Sequence, residues 1–162
     1  MSRMSAGRLV AALAVGLMLL AAPLRAAEGG LKVIEKFGGR NSGLAVAHFA
    51  AENVERSKNK VGLIIIVSPG ENSFAFDLAE WQALIALCNK AIATQSSDWT
   101  VIGSMTETGT TDVSHLTMSS GPGLRVVIAS PSDGEVSYVL QKNDLPRLQS
   151  ALRAVEVYLA AP

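Results

Sequence analysis

An internal repeat limits the folds open to this chain, because two copies of one short unit can pack in only a few ways. Three pairs of segments match at offsets of 62, 64 and 68 residues: 66–69 (IVSP) with 128–131 (IASP), 73–76 (SFAF) with 137–140 (SYVL), and 33–34 (VI) with 101–102 (VI). The offset of 64 also pairs Glu80 with Asp144 and Trp81 with Leu145. Offsets that change only at polar or glycine-containing loops indicate a duplicated unit with small insertions.

The two histidines of the chain fall in a fourth pair of segments, VAHF at 46–49 and VSHL at 113–116, with an offset of 67 residues. The repeated pattern predicts that His48 and His115 occupy equivalent positions in the two copies.

Each copy predicts four strands followed by one helix, because β-branched runs are separated by polar or glycine-rich turns. The predicted strands are 31–37, 44–50, 61–68 and 73–76, then 99–105, 113–119, 124–130 and 135–140; the helices are 78–93 and about 144–159. We expect an α+β fold of two antiparallel four-stranded sheets with one helix each, related by a pseudo-two-fold axis. Repeat one covers about 31–94 and repeat two about 99–160.

The first helix carries the clearest local signals. Asp77 and Glu80 have the spacing of a capping box. Apolar side chains then recur at helical spacing on one stripe: Leu78, Trp81, Leu84, Ile85, Cys88 and Ile92. Cys88, the only cysteine, is therefore predicted to be a buried structural residue; a redox or dimer-linking role is the alternative.

The N-terminus is typical of a secretory signal peptide. Arg3 and Arg8 precede an apolar run at 9–22, and small residues follow near Ala26. We predict a signal peptide at 1–26, a single duplicated domain at 27–162, and a periplasmic or secreted protein without stable membrane insertion after cleavage. An uncleaved anchor is the alternative.

The repeat order and the acidic-aromatic helix start DLAEWQAL at 77–84 resemble the Whirly and Pur-repeat families of single-stranded nucleic-acid-binding proteins. The resemblance covers essentially all of 27–162 and implies both the duplicated fold and nucleic-acid binding. The Lys-Gly-Lys-type basic strand of the Whirly family has its nearest approach in Lys58-Asn59-Lys60.

The charge balance favours other partners. Without residues 1–26 the chain keeps 11 basic and 14 acidic residues, a net charge of −3. Proteins that bind nucleic-acid phosphates usually carry a basic surplus, because counterion release supplies much of their affinity.

Strand alternation assigns the candidate binding residues. Bulky apolar groups on one face, including Phe49, Leu116 and Met118, suggest that this face is the core. The opposite, open faces would carry the candidates His48, His115, Val46, Val113 and Thr117. The two imidazoles would then mark a binding surface, pH-sensitive or metal-binding; the alternative is ancestral sequence that persisted after duplication.

The function that these patterns favour is a non-catalytic binding module for an unknown protein, peptide or small ligand. The alternatives are single-stranded nucleic-acid binding and a small enzyme or metal-binding protein. We expect no cofactor and no metal, because no nucleophile elbow, phosphate loop or ligand-like spacing occurs. Self-association into a homo-oligomer stays open.

Overall fold

The computed structural model describes residues 30–50, 60–94, 96–108 and 113–162. Sheet 1 consists of β1 (Lys32–Gly38), β2 (Gly43–Ala50), β3 (Lys60–Val67) and β4 (Glu71–Phe76), and is followed by helix α1 (Leu78–Ala93). Sheet 2 consists of β5 (Thr100–Thr108), β6 (Val113–Ser120), β7 (Leu124–Ser130) and β8 (Gly134–Leu140), and is followed by helix α2 (Leu145–Ala160). The predicted α+β fold with a duplicated ββββα unit is confirmed. The predicted signal peptide lies outside the described residues.

Side-chain hydrogen bonds to the backbone precede both helices, but only α1 is capped directly. At α1, Asp77 Oδ1 accepts from the backbone N–H of Glu80 and Glu80 Oε2 accepts from that of Asp77, each at 2.8 Å. In the second repeat, the backbone N–H of Gln141 donates to Asp144 Oδ2 at 3.2 Å, and a 3₁₀ turn (Lys142–Asp144) replaces the first helical turn. Pro146 then stands in the first turn of α2, where its missing N–H costs nothing.

Each helix packs mainly on the sheet of the other repeat. Helix α2 contacts β1, β2 and β3, whereas α1 contacts β5 and β6 as well as the ends of β3 and β4. The helices also contact each other, and Trp81 Nε1 donates to the backbone oxygen of Leu152 at 2.8 Å. The two inner faces and both helices therefore share one hydrophobic core, so that neither repeat buries its apolar surface alone.

Residues at equivalent positions of the two repeats are identified by following one line of paired residues across the four strands of each sheet. The row in sheet 1 is Lys32, His48, Gly62 and Phe76; the row in sheet 2 is Thr100, Ser120, Leu124 and Leu140. Both β1 and β5 carry a bulge 68 positions apart, which fixes the alignment of the rows. The offsets are 68, 72, 62 and 64 residues, so the predicted values of 68, 62 and 64 are confirmed.

The offset of 67 for the histidines is wrong, because β2 and β6 correspond at 72. The counterpart of His48 is Ser120, not His115. An odd error in the offset moves a residue to the opposite face of its strand, since side chains alternate with a period of two.

The face assignment was right for sheet 2 and wrong for sheet 1. Leu116 and Met118 lie in the main core as expected, but in β2 the core side chains are Leu44 and Val46. Alternation is uninformative in β2 because both of its faces are apolar. The expected core residue Phe49 instead packs in a second cluster on the opposite face.

Candidate functional site

The outer face of sheet 2, which points away from both helices, is the open surface of the described fold. Strand pairing defines it by the residues Val101, Ser104, Thr106, Val113, His115, Thr117, Ser119, Arg125, Val127, Ala129, Glu135, Ser137 and Val139. Apart from Ser119, all of them are exposed or half-buried. Val101 is 67% exposed and Val113 is 38% exposed, an unusual state for large apolar side chains.

Two side-chain pairs give this face its chemistry. The imidazole Nδ1 of His115 lies 3.2 Å from the hydroxyl Oγ1 of Thr106 on the neighbouring strand, which fixes the ring orientation. The guanidinium of Arg125 stacks over the indole of Trp99, with 4.1 Å from its Cζ to the ring centroid. Gly121 makes room for that indole, since a Cβ there would lie 2.7 Å from a ring carbon.

The five residues predicted for the site do not come together. Val113, His115 and Thr117 share the outer face of sheet 2, whereas Val46 and His48 lie on the inner face of sheet 1. Val46 is fully buried and His48 is 8% exposed, so placing these two on an open face was wrong. The physical reason is that helix α2 from the second repeat covers this part of sheet 1.

His48 belongs to a tight cluster at the C-terminal end of α2. Its ring stacks on Tyr158, with centroids 3.5 Å apart and planes inclined by 13°. Lys60 also contacts the end of α2. Its Nζ lies 5.0 Å from the centroid of the Tyr158 ring. The same Nζ donates hydrogen bonds to the backbone oxygens of Tyr158 and Ala161, at 3.2 and 2.7 Å. These carbonyls carry the negative end of the helix dipole, which explains the position of the lysine.

Burial, with smaller contributions from the charges of Lys32 and Lys60, lowers the pKa of His48 to about 4. The ring is therefore neutral at physiological pH. Among the residues that the structure describes, its buried Nδ1 has no hydrogen-bond partner. We assign His48 a packing role in the core end of α2.

Two carboxyl groups near the contact between the repeats are also perturbed. The pKa of Glu107 is raised to about 7, mainly by burial and to a smaller extent by the charge of Glu80, while a hydrogen bond from the Ala75 backbone acts in the opposite direction. Burial and the nearby Asp133 raise the pKa of Glu71 to about 7. Within the described residues, no three His, Cys, Asp or Glu side chains are grouped so that they could hold a metal ion.

The Trp99–Arg125 pair was not predicted from the sequence. Both residues were assigned only to predicted strands, and pairing an arginine with an aromatic residue of another strand requires the register. The available signal was Arg125 itself, a single charge in the otherwise apolar segment LRVVIA. By alternation, such a charge marks the solvent face of a strand.

Comparison of the chain with protein-family models and with curated protein sequences gives no match. Among the described helices, neither α1 nor α2 has the length and hydropathy needed to cross a bilayer.

Proposed function

We propose that this protein is a periplasmic or secreted, non-catalytic module that binds a protein or peptide on the outer face of sheet 2. The observation that carries the proposal is the open surface itself, on which Val101 and Val113 remain exposed on the same face as His115. The described chain exposes only one other large hydrophobic side chain, Val157. Exposed apolar groups framed by polar ones are typical of interaction surfaces.

The composition of this face suits a polypeptide. The hydroxyl groups of Ser104, Thr106 and Thr117 share this face with small apolar side chains, so a bound polypeptide could make both hydrogen bonds and apolar contacts. The stacked Arg125 and Trp99 are the residue types that most often dominate binding energy at protein interfaces. We therefore expect this pair to be the main anchor.

Charge separates this function from nucleic-acid binding, which the Whirly and Pur resemblance implies. Among the residues that define the outer face of sheet 2, Arg125 is the only lysine or arginine, and the negative charge of Glu135 balances its positive charge. Phosphate binding requires several cations, since each neutralised phosphate adds to affinity. The single indole is already stacked under Arg125, which leaves little aromatic surface for bases.

A non-catalytic role agrees with the state of the strongest potential nucleophile. Cys88 is fully buried in α1, and burial raises its pKa to about 12. Its thiol therefore stays protonated at physiological pH, as in structural cysteines.

The test begins with a library of displayed random peptides selected against the processed protein. Binding of the best peptides is then measured by titration calorimetry for Arg125→Ala, for His115→Ala and for the matched control Arg153→Ala on the exposed side of α2. We expect the first two changes to weaken binding about tenfold or more, and the control to leave it unchanged. Equal binding by all three variants, or selection of no peptide, would contradict the proposal.

The compartment is tested separately. The native product should begin near Ala27 by N-terminal sequencing. Recovery of the intact Met1 form from the cytosol would remove the basis for a periplasmic or secreted protein. The nucleic-acid alternative predicts sub-micromolar binding of a labelled single-stranded oligonucleotide with a steep salt dependence, and we expect neither.

A further inference from the structure

Two opposite charges lie at opposite ends of the outer face of sheet 2. Arg125 is on β7, four residues before Ala129, and Ala129 pairs with Glu135 on β8. With about 3.3 Å per residue along a strand and about 4.8 Å between strands, the Cα atoms of Arg125 and Glu135 are about 14 Å apart. A ligand that meets both charges must span this distance.

The stack on Trp99 draws the guanidinium of Arg125 away from Glu135. The indole lies against Gly121, which follows Ser120 at the end of β6, and its centroid is 4.1 Å from the Cζ of Arg125. Glu135 lies at the opposite end of the sheet, near the start of β8, and is exposed. The two charges therefore do not neutralise each other.

Neither charge has an oppositely charged partner in the part of the chain that the structure describes. There, the ion pairs join Arg147 to Glu35 and Asp144. A guanidinium that stacks on a ring through its face keeps its N–H groups pointing outward, where they bind a carboxylate with two parallel hydrogen bonds. Because the stack has already fixed the Arg125 side chain, less entropy is lost when a ligand binds. Arg125 is thus suited to an acidic group and Glu135 to a basic one.

The surface between the two charges is neutral. Its middle row of paired residues is Ser104, Thr117, Val127 and Ser137. Val127 lies on β7 two residues after Arg125, half-way to the end that holds Glu135. In an extended peptide, every second side chain points to the same face. A peptide aligned with β7 therefore presents alternate side chains to Arg125, then to Val127, and then to the end of the sheet that holds Glu135.

We propose that the ligand of this face is an extended peptide with an acidic and a basic residue four positions apart and an apolar residue midway between them. The acidic side chain binds Arg125, the apolar one contacts Val127, and the basic one binds Glu135. A nucleic acid does not fit this arrangement, because its phosphates supply no cation for Glu135. The inference rests on the proposed function and adds to it the pattern of residues that the ligand carries.

Two blocked peptides of identical composition test the spacing. The probe is acetyl-Ser-Glu-Thr-Val-Thr-Arg-Ser-amide, whose termini carry no charge. The control is acetyl-Ser-Glu-Thr-Val-Arg-Thr-Ser-amide, in which the charges are three positions apart and so point to opposite faces of an extended chain. In NMR titrations of the isotope-labelled protein, the control should bind about tenfold or more weakly than the probe. Equal affinity for the two peptides would overturn the proposal.

A charge exchange on the protein tests the two contacts. Arg125→Glu and Glu135→Arg should each weaken binding of the probe about tenfold or more, because like charges then meet. The double variant should regain most of that loss, since the peptide can bind it in the opposite chain direction. The matched control Arg153→Glu, on the exposed side of α2, should leave binding unchanged. A double variant as weak as the single variants would overturn the proposal.

The milder changes Arg125→Gln and Glu135→Gln serve if a charge reversal does not fold, as judged by circular dichroism. Each should weaken binding of the probe about threefold to tenfold. Unchanged binding by both would overturn the proposal.

The displayed library separates this inference from the proposed function. Selection of peptides with the charge pair at a spacing of four residues would support both. Selection of peptides without that pair would overturn the charge pattern and leave the peptide-binding function standing. A protein that binds neither the probe nor any displayed peptide would overturn both.

Discussion

The two repeats have the same order of strands and helix but carry different side chains at equivalent positions. On the outer face of sheet 2, Thr117, Arg125 and His115 meet solvent, whereas the same positions of sheet 1 carry Ala45, Leu63 and Gly43. The inner rows differ as well, with His48 and Gly62 in sheet 1 where sheet 2 has Ser120 and Leu124. Duplication therefore preserved the core plan while each outer surface diverged toward its own environment.

The largest expected effect concerns Gly62 and Trp81. A Cβ at Gly62 would overlap the indole of Trp81, and the corresponding residues of the second repeat are Leu124 and Leu145. Gly62→Leu should therefore destabilise the protein by about 3 kcal/mol or more. Gly62→Leu combined with Trp81→Leu, which copies the second repeat, should be clearly more stable than Gly62→Leu alone in chemical denaturation.

If the losses in the free energy of unfolding caused by Gly62→Leu and Trp81→Leu simply add in the double variant, then the absence of a side chain at position 62 does not compensate for the indole. Trp81→Phe is the control, because it keeps an aromatic ring but loses the hydrogen bond to Leu152, at an expected cost of about 1–3 kcal/mol.

The histidines give the next largest contrast. His48→Gln should cost about 1–3 kcal/mol, because it removes a buried ring stacked on Tyr158 and leaves an amide to be satisfied. His115→Gln should stay within about 0.5 kcal/mol, since His115 is exposed. Chemical denaturation at pH 7 compares them. Equal effects would mean that the two positions are equivalent after all.

Acid should narrow the difference between wild type and His48→Gln. The pKa of His48 is about 4 in the folded protein and 6.5 in the unfolded chain. Between these values the unfolded chain binds a proton that the folded protein does not, so wild-type stability falls as the pH falls from 6.5 to 4. We expect the advantage of wild type to shrink by about 1–2 kcal/mol between pH 7.5 and 4.5. A constant difference in urea titrations at both pH values would contradict this.

Glu107 should show the smallest effect, with the opposite sign. Its folded-state pKa of about 7 lies above the ordinary glutamate value of 4.5, so its contribution to stability is complete below pH 4.5 and is lost as the pH rises through 7. Glu107→Gln should match wild type at pH 4.5 and exceed it at pH 8 by less than about 1 kcal/mol, because the carboxyl group is partly solvated. Thermal unfolding at the two pH values tests this; lower stability of the variant at pH 8 would contradict it.

Of the candidate site, the sequence correctly indicated only the side of β6. In β6 the bulky apolar Leu116 and Met118 alternate with the polar His115 and Thr117, so alternation correctly predicts which face is buried. In β2, the segment GLAVAHFA is apolar on both faces, and the choice of inner face could not be made locally. Trp99 and Arg125 lie on segments whose spatial proximity depends on how β5, β6 and β7 align.

The elements and their order follow from local signals in the chain, because capping residues, β-branched runs and glycine turns act over a few neighbouring residues. Helix α1 begins and ends at the predicted residues, and β7 does as well. Which face of sheet 1 lies inside was decided only by tertiary structure: α2 crosses from the second repeat and sets Tyr158 against His48, 110 positions earlier. The inner face of a strand is defined by what packs on it, and two equally apolar faces are distinguished only by which element packs on each.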